Sequence, residues 1–228
     1  MFLEQRVSLL FASAIATALL TACGGDNKNF SMPANDSTKV SPTAVASATP
    51  TPTAITETPR PAAASLPELA IKALEPYKHS SGILGIDVPK GWKLVDNSQT
   101  GELLLTWSEQ GERATVSVDI FVPPSEIPSD RLDNTLAVIV KGMYGNQTDF
   151  AMKSPVVEST GAVVVEWSAT VTVGNEKVNF LANSKLQRRN NKFVIVTFGA
   201  IASKFPELKD SFFSIYNSQV INEELAIP

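Results

Sequence analysis

The sequence predicts an α+β fold for residues 76–221, an antiparallel sheet of six to seven strands covered by helices. Three observations carry this. Apolar and polar residues alternate with period two through several short stretches, as they do on half-buried strands. The links between those stretches hold Gly and Asn, which tolerate the backbone angles of hairpin turns. Two longer segments instead carry apolar residues at spacings of three and four, which makes one apolar stripe on each of two helices.

The elements follow in order. Ile83, Ile86 and Val88 open a strand that stops at Pro89-Lys90-Gly91, and residues 92–95 form the next. Residues 103–107 are a short apolar strand. In residues 114–122, Val116, Val118 and Ile120 alternate with Thr115, Ser117 and Asp119, and Gln110-Gly111-Glu112 supplies the hairpin turn before them. Pro123-Pro124 ends this run, because proline cannot donate to a sheet ladder. Ser129 or Asp130 is expected to cap a helix whose stripe is Leu132, Leu136, Ile139, Val140 and Met143. Gly142 and Gly145 weaken and end it. Strands are then expected over 150–158, 162–173, 177–187 and 192–200. A last helix, over about 203–219, carries Phe205, Leu208, Phe212 and Ile215, with Pro206 and Glu207 in its first turn. Residues 66–75 are expected to be a lead-in helix, and 222–228 a tail.

The 75 residues before this domain have two other compositions. Residues 1–22 have the form of an export signal. Arg6 lies near the amino terminus, and Val7 to Leu20 is a charge-free run of 14 residues. Spanning a bilayer takes roughly 20 apolar residues, so the run suits a signal-peptide core. Leu20-Thr21-Ala22-Cys23 follows directly. It resembles the bacterial lipoprotein box, which implies cleavage before Cys23 and acylation of its thiol and new amine. Two or more acyl chains anchor stably where one does not. Residues 23–65 are rich in Ser, Thr, Ala and Pro, including Ala48-Thr49-Pro50-Thr51-Pro52-Thr53. Such a segment buries too little apolar area to offset its ordering entropy and is expected to be a disordered tether. Its span is roughly 35 Å as a coil and about 130 Å at full polyproline II extension.

Composition excludes several functions. The net charge is −4, against the basic surface of a nucleic-acid binder, so no nucleic-acid partner is expected. One cysteine and one histidine in 228 residues leave no intrachain disulfide, no Cys-based zinc site and no two-histidine metal site. No Gly-x-Ser-x-Gly, Ser-x-x-Lys, phosphate-binding glycine loop or EF-hand loop occurs. The chain is therefore expected to be non-catalytic, with no cofactor and no resident metal.

The stretch from Gly82 through Pro89-Lys90-Gly91-Trp92 resembles the opening of PsbP-like domains. The close, Phe180 to Ser184, Phe193 to Phe198 and Phe205-Pro206-Glu207-Leu208, resembles that family's last hairpin and helix. The resemblance covers residues 77–221 and implies an α/β/α sandwich. Some members are lipoproteins associated with photosystem II, and metal sites are proposed in some. This chain departs from the photosynthetic members in its Thr/Pro tether and in Leu84, where their motif usually has Phe.

Candidate site residues are few. Cys23 is the expected lipid attachment point. Lys185, Arg188, Arg189 and Lys192 cluster about one hairpin and form a candidate contact patch for anionic head groups or an acidic protein partner. His79 is expected to be a solvated loop residue. Trp92 and Trp107 are expected to pack, and Trp167, between Glu166 and Ser168, to be the most exposed of the three. Glu126, Asp130 and Asp133 could hold calcium weakly, but capping and the helix dipole account for them. The expected function is a membrane-anchored accessory or assembly factor for a membrane or envelope complex. The alternatives are an exported small-ligand-binding lipoprotein or hydrolase, and a photosystem II-associated extrinsic protein.

Overall fold

The computed structural model describes residues 68–228. The expected signal segment, Cys23 and the tether lie outside the described residues. The architecture is the expected α+β sandwich, built on antiparallel pairings throughout. Among the described residues, eleven strands form two sheets, the larger with seven strands in continuous order and an eighth paired to one of them, the smaller with three.

The small sheet joins β1 (Leu74–Lys78), β2 (Leu84–Pro89) and β11 (Val220–Ile221) in the order β1-β2-β11. The large sheet has the order β3-β4-β5-β10-β9-β8-β6. Its strands are β3 (Lys93–Asp96), β4 (Glu102–Ser108), β5 (Ala114–Phe121), β6 (Thr148–Met152), β8 (Val163–Val173), β9 (Glu176–Arg189) and β10 (Lys192–Ile201), with β7 (Val156–Val157) paired to β8. Helix α1 (Leu132–Tyr144) precedes β6, and α2 (Phe205–Ser218) follows β10.

The two helices lie on opposite faces and over different halves of the large sheet. One core joins Leu103, Leu105 and Trp107 of β4, Val116, Val118 and Ile120 of β5, and Val194, Val196 and Phe198 of β10 to the small sheet and to Leu208, Phe212 and Ile215 of α2. The other joins Leu136 and Val140 of α1 to Val163, Val165 and Trp167 of β8, Phe180 and Ala182 of β9, and Phe193 and Ile195 of β10. β10 therefore lies at the overlap and is buried on both faces. Its near-continuous apolar run is the pattern that double burial requires.

Gly199 of β10 allows a close approach. A Cβ there would lie 2.3 Å from Cε1 of Phe180 and 2.9 Å from Cβ of Ala182. The Phe180 ring occupies that space.

Four expectations are corrected. No helix covers residues 68–74; Leu74 instead starts β1, because its ladder partner Pro89 lies across the turn. The helix lacks a side-chain cap. A 3₁₀ turn over Ser129–Arg131 precedes α1, and the Arg131 N–H donates to the Pro128 carbonyl at 3.0 Å, satisfying a donor that a cap would have taken. The strand expected over 150–158 is two short strands broken at residues 153–155, where Pro155 cannot donate. The segment 222–228 is part of the body: Ile227 packs on the first core, and the Gly101 N–H donates to the Pro228 carbonyl at 2.8 Å.

Candidate functional site

A row of hydroxyls crosses the large sheet on its α1 face. Ladder register aligns Thr106 of β4 with Ser117 of β5, Ser117 with Thr197 of β10, and Thr197 with Ser184 of β9. At its inner end the row is closed by hydrogen bonds. Trp167 Nε1–H donates to Ser184 Oγ at 3.0 Å, and Ser184 Oγ and Thr197 Oγ1 are hydrogen-bonded at 2.8 Å, either hydroxyl being able to donate. The Tyr144 ring stacks on Trp167, with centroids 4.1 Å apart. Burial pushes the Tyr144 phenol up to about 12; hydrogen bonds from Thr197 and Ser117 oppose the rise, and the charge of Asp119 adds to it. These polar groups satisfy one another beneath α1, as buried polar groups must. At the outer end, Thr106 Oγ1 is buried without a hydrogen-bond partner among the described residues.

A second feature lies where the described chain begins. Residues 70–73, Pro89, Lys90 and Trp92 line a pocket of about 190 Å³. The Lys90 N–H donates to the Ala73 carbonyl at 3.0 Å and ties the incoming segment to the end of β2. Gly91 turns the chain there with φ of 80°, which glycine adopts without strain. Lys72 and Lys90 are exposed and Trp92 is half-buried.

The expected basic cluster does not form one cationic surface. Side chains alternate across β9, so Lys185 and Arg189 share the α2 face while Arg188 points to the α1 face. Lys185 Nζ pairs with Glu158 Oε2 at 2.7 Å and lies 3.8 Å over the Tyr216 ring. Arg188 Nη1 donates to the Ile127 carbonyl at 2.8 Å. Lys192 is 6% exposed, and its Nζ donates to the Glu223 carbonyl at 2.5 Å. Arg189 is exposed and donates to Gln187 Oε1 at 3.0 Å.

The remaining candidates are placed as follows. His79 is buried, not solvated: its Nδ1 lies 2.8 Å from Ser81 Oγ, and its backbone N–H and carbonyl hold the β1–β2 turn. Trp167 is buried at 4% exposure and Trp107 at 2%, so Trp92 is the most exposed of the three. The phase of β8 explains the error. Glu166 and Ser168 face away from Trp167, whereas Val165 and Ala169 share its side. Asp133 Oδ1 accepts the Asn134 N–H at 2.6 Å, and Glu126 lies 4.0 Å from Arg188. No group of three metal-ligating side chains occurs among the described residues.

Sequence inspection missed the Glu109–Arg113 fork in the turn before β5. Arg113 Nη2 and Nε donate to the two Glu109 oxygens at 2.5 and 3.1 Å. Burial raises the Glu109 carboxyl, but the guanidinium and the Gly111 and Arg113 N–H groups outweigh it and hold the carboxyl below its ordinary value. The signal was present as a Glu and an Arg four residues apart across a glycine turn.

No family model matches the chain, and no curated protein does. Among solved structures the chain is similar to the cyanobacterial PsbP (CyanoP) of Synechocystis sp. PCC 6803, at 18% identity over 69% of this chain and 98% of that one, with a TM-score of 0.41. It is similar to a Pseudomonas aeruginosa protein of unknown function, PA94, a putative regulator, at 10% identity over 65% and 97%, with a TM-score of 0.42. It is also similar to LpqN of Mycobacterium tuberculosis, involved in cell envelope biogenesis, at 11% identity over 66% and 91%, with a TM-score of 0.37.

Proposed function

We propose that this chain is an extracytoplasmic lipoprotein whose acylated Cys23 holds a non-catalytic, PsbP-like body at a membrane, as an accessory or assembly factor for a membrane or envelope complex. The observation that carries the proposal is Leu20-Thr21-Ala22-Cys23 placed directly after a charge-free run of 14 residues. The chain's one cysteine stands at the position the box needs. The Thr/Pro-rich residues that follow give the body reach without adding a second core. Two features of the body support an accessory role. Its most concentrated polar groups, Trp167, Ser184 and Thr197, hydrogen-bond one another rather than converging on a cleft. The pocket beside Trp92, at about 190 Å³, is smaller than the roughly 300–1,000 Å³ that encloses a metabolite.

Detergent-phase partitioning of the expressed full chain tests the anchor. The proposal expects the protein in the detergent phase and Cys23→Ala in uncleaved precursor form. Cleavage and partitioning unchanged by that substitution would contradict it. Crosslinking in intact membranes, followed by capture, tests the role. A stoichiometric membrane-complex subunit is expected. Turnover in a hydrolase screen, with no such subunit, would replace the accessory role with the enzymatic one.

A further inference from the structure

We propose that the pocket beside Trp92 is a docking site for the anionic headgroup of a phospholipid in the membrane that holds the chain. This rests on the anchoring proposed above. Connectivity is the first argument. The described chain begins at residue 68 and the pocket wall at residue 70, so the pocket wall includes the described residues nearest in sequence to Cys23. In the proposed docking, this end of the body meets the bilayer.

Charge is the second argument. Lys72 and Lys90 line the pocket and are exposed, and neither forms an ion pair among the described residues. Lys153, Lys185 and Lys204 each hold a carboxylate at 2.5 to 2.7 Å. The nearby Glu75 carboxylate is directed to backbone, accepting the Gly91 N–H at 3.4 Å. Both lysines line one depression, and basic side chains close to a bilayer are drawn to anionic lipid.

The third argument is Trp92. It is half-buried against the α2-side core and also lines the pocket. An indole with one apolar side and one polar edge favours the boundary between headgroups and acyl chains. The pocket volume suits a headgroup fragment rather than a whole enclosed ligand.

The test reconstitutes the full mature chain into vesicles of phosphatidylcholine alone, or of phosphatidylcholine with phosphatidylglycerol. Trp92 emission is taken as the difference from Trp92→Phe, with lipid brominated near the headgroup as quencher. Quenching is expected in the phosphatidylglycerol vesicles and is lost in Lys72→Glu/Lys90→Glu, whose far-ultraviolet circular dichroism should be unchanged. Equal quenching in both compositions, or quenching that survives the charge reversal, overturns the proposal. Inorganic phosphate that shields Trp92 from acrylamide while vesicles do not would also overturn it, in favour of a free-anion site. The anchor is read separately, from the mass of the amino terminus. If Cys23 is unmodified, the full chain added to preformed vesicles still reports docking. Each lysine near an anionic surface is worth about a factor of five, so Lys72→Gln/Lys90→Gln should weaken phosphatidylglycerol-vesicle binding about 30-fold. No preference for phosphatidylglycerol over phosphatidylcholine would overturn docking in that arm.

Discussion

The two halves of the large sheet are held by different physics. Beneath α2, strands β4 and β5 present Leu103, Leu105, Trp107, Val116, Val118 and Ile120 to an apolar core, and the polar contacts of α2, through Tyr216 and Ser218, lie at its carboxyl-terminal end. Phe198 of β10 stacks on Phe212 of α2 with centroids 5.1 Å apart. Beneath α1, strands β8 and β9 present Val163, Val165 and Phe180, but a hydrogen-bonded chain from Trp167 through Ser184 to Thr197 runs through the same layer. Dispersion and apolar burial are non-directional, so the first half is stabilised by volume. The second half adds directional groups whose loss leaves a buried partner unpaired. The central strand β10 supplies both, with Val194, Val196 and Phe198 on one side and Phe193, Ile195 and Thr197 on the other.

The largest expected effect falls in the apolar half. Phe212 is fully buried. Phe212→Ala should destabilise the body by about 3–5 kcal/mol, through lost transfer energy and the cavity left behind. Urea denaturation should show a lower midpoint with an unchanged slope. A loss below about 1 kcal/mol would mean that α2 repacks and that volume is not what holds that half.

In the α1 half, Ser184→Ala should cost about 1–3 kcal/mol although it removes one atom, because the Trp167 N–H is left buried without an acceptor. Trp167→Phe in the same chain should recover part of that loss. A double-mutant cycle measures the coupling. A coupling of zero would erase the distinction between the halves.

The smallest effect concerns the Glu109–Arg113 fork at the edge of the α2 half. Glu109 is held below its ordinary carboxyl value in the folded state. Its contribution is therefore present above the unfolded carboxyl pKa and is lost as pH falls through the lower folded one. Glu109→Gln should cost about 1–2 kcal/mol at neutral pH and less as the solution is acidified. Thermal melts over acid and neutral pH check this. A constant difference at all pH values would assign the cost to packing rather than charge.

Much of this was legible in the sequence, for local reasons. The alternation in residues 114–121 and 163–173 marked two strands, although it left Trp167 on the wrong side of the second and the burial of Ser117 and Asp119 in the first unseen, and the spacing of Leu208, Phe212 and Ile215 marked the buried side of α2. What escaped depends on distant partners. β1 is a strand because β2 pairs with it, whereas Pro67 and Glu68 locally suit a first helical turn. His79 is buried because its turn folds back on Leu84. The tail is held by Gly101, more than a hundred residues earlier. The basic cluster looked continuous because sequence adjacency hides the alternation that sends Arg188 to one face and Lys185 to the other. Lys72 and Lys90, which form no ion pair among the described residues, are 18 positions apart in the sequence and are brought together by the β1–β2 ladder and the Lys90-to-Ala73 backbone bond.

Both halves belong to a body whose proposed place depends on one thiol. The most direct measurement is intact mass, with fragmentation of the amino terminus, on protein taken from membranes of the native cell. The account predicts a chain that begins at Cys23 and carries diacylglycerol on sulfur. A chain that begins elsewhere, or begins at Cys23 with a free thiol, would contradict it.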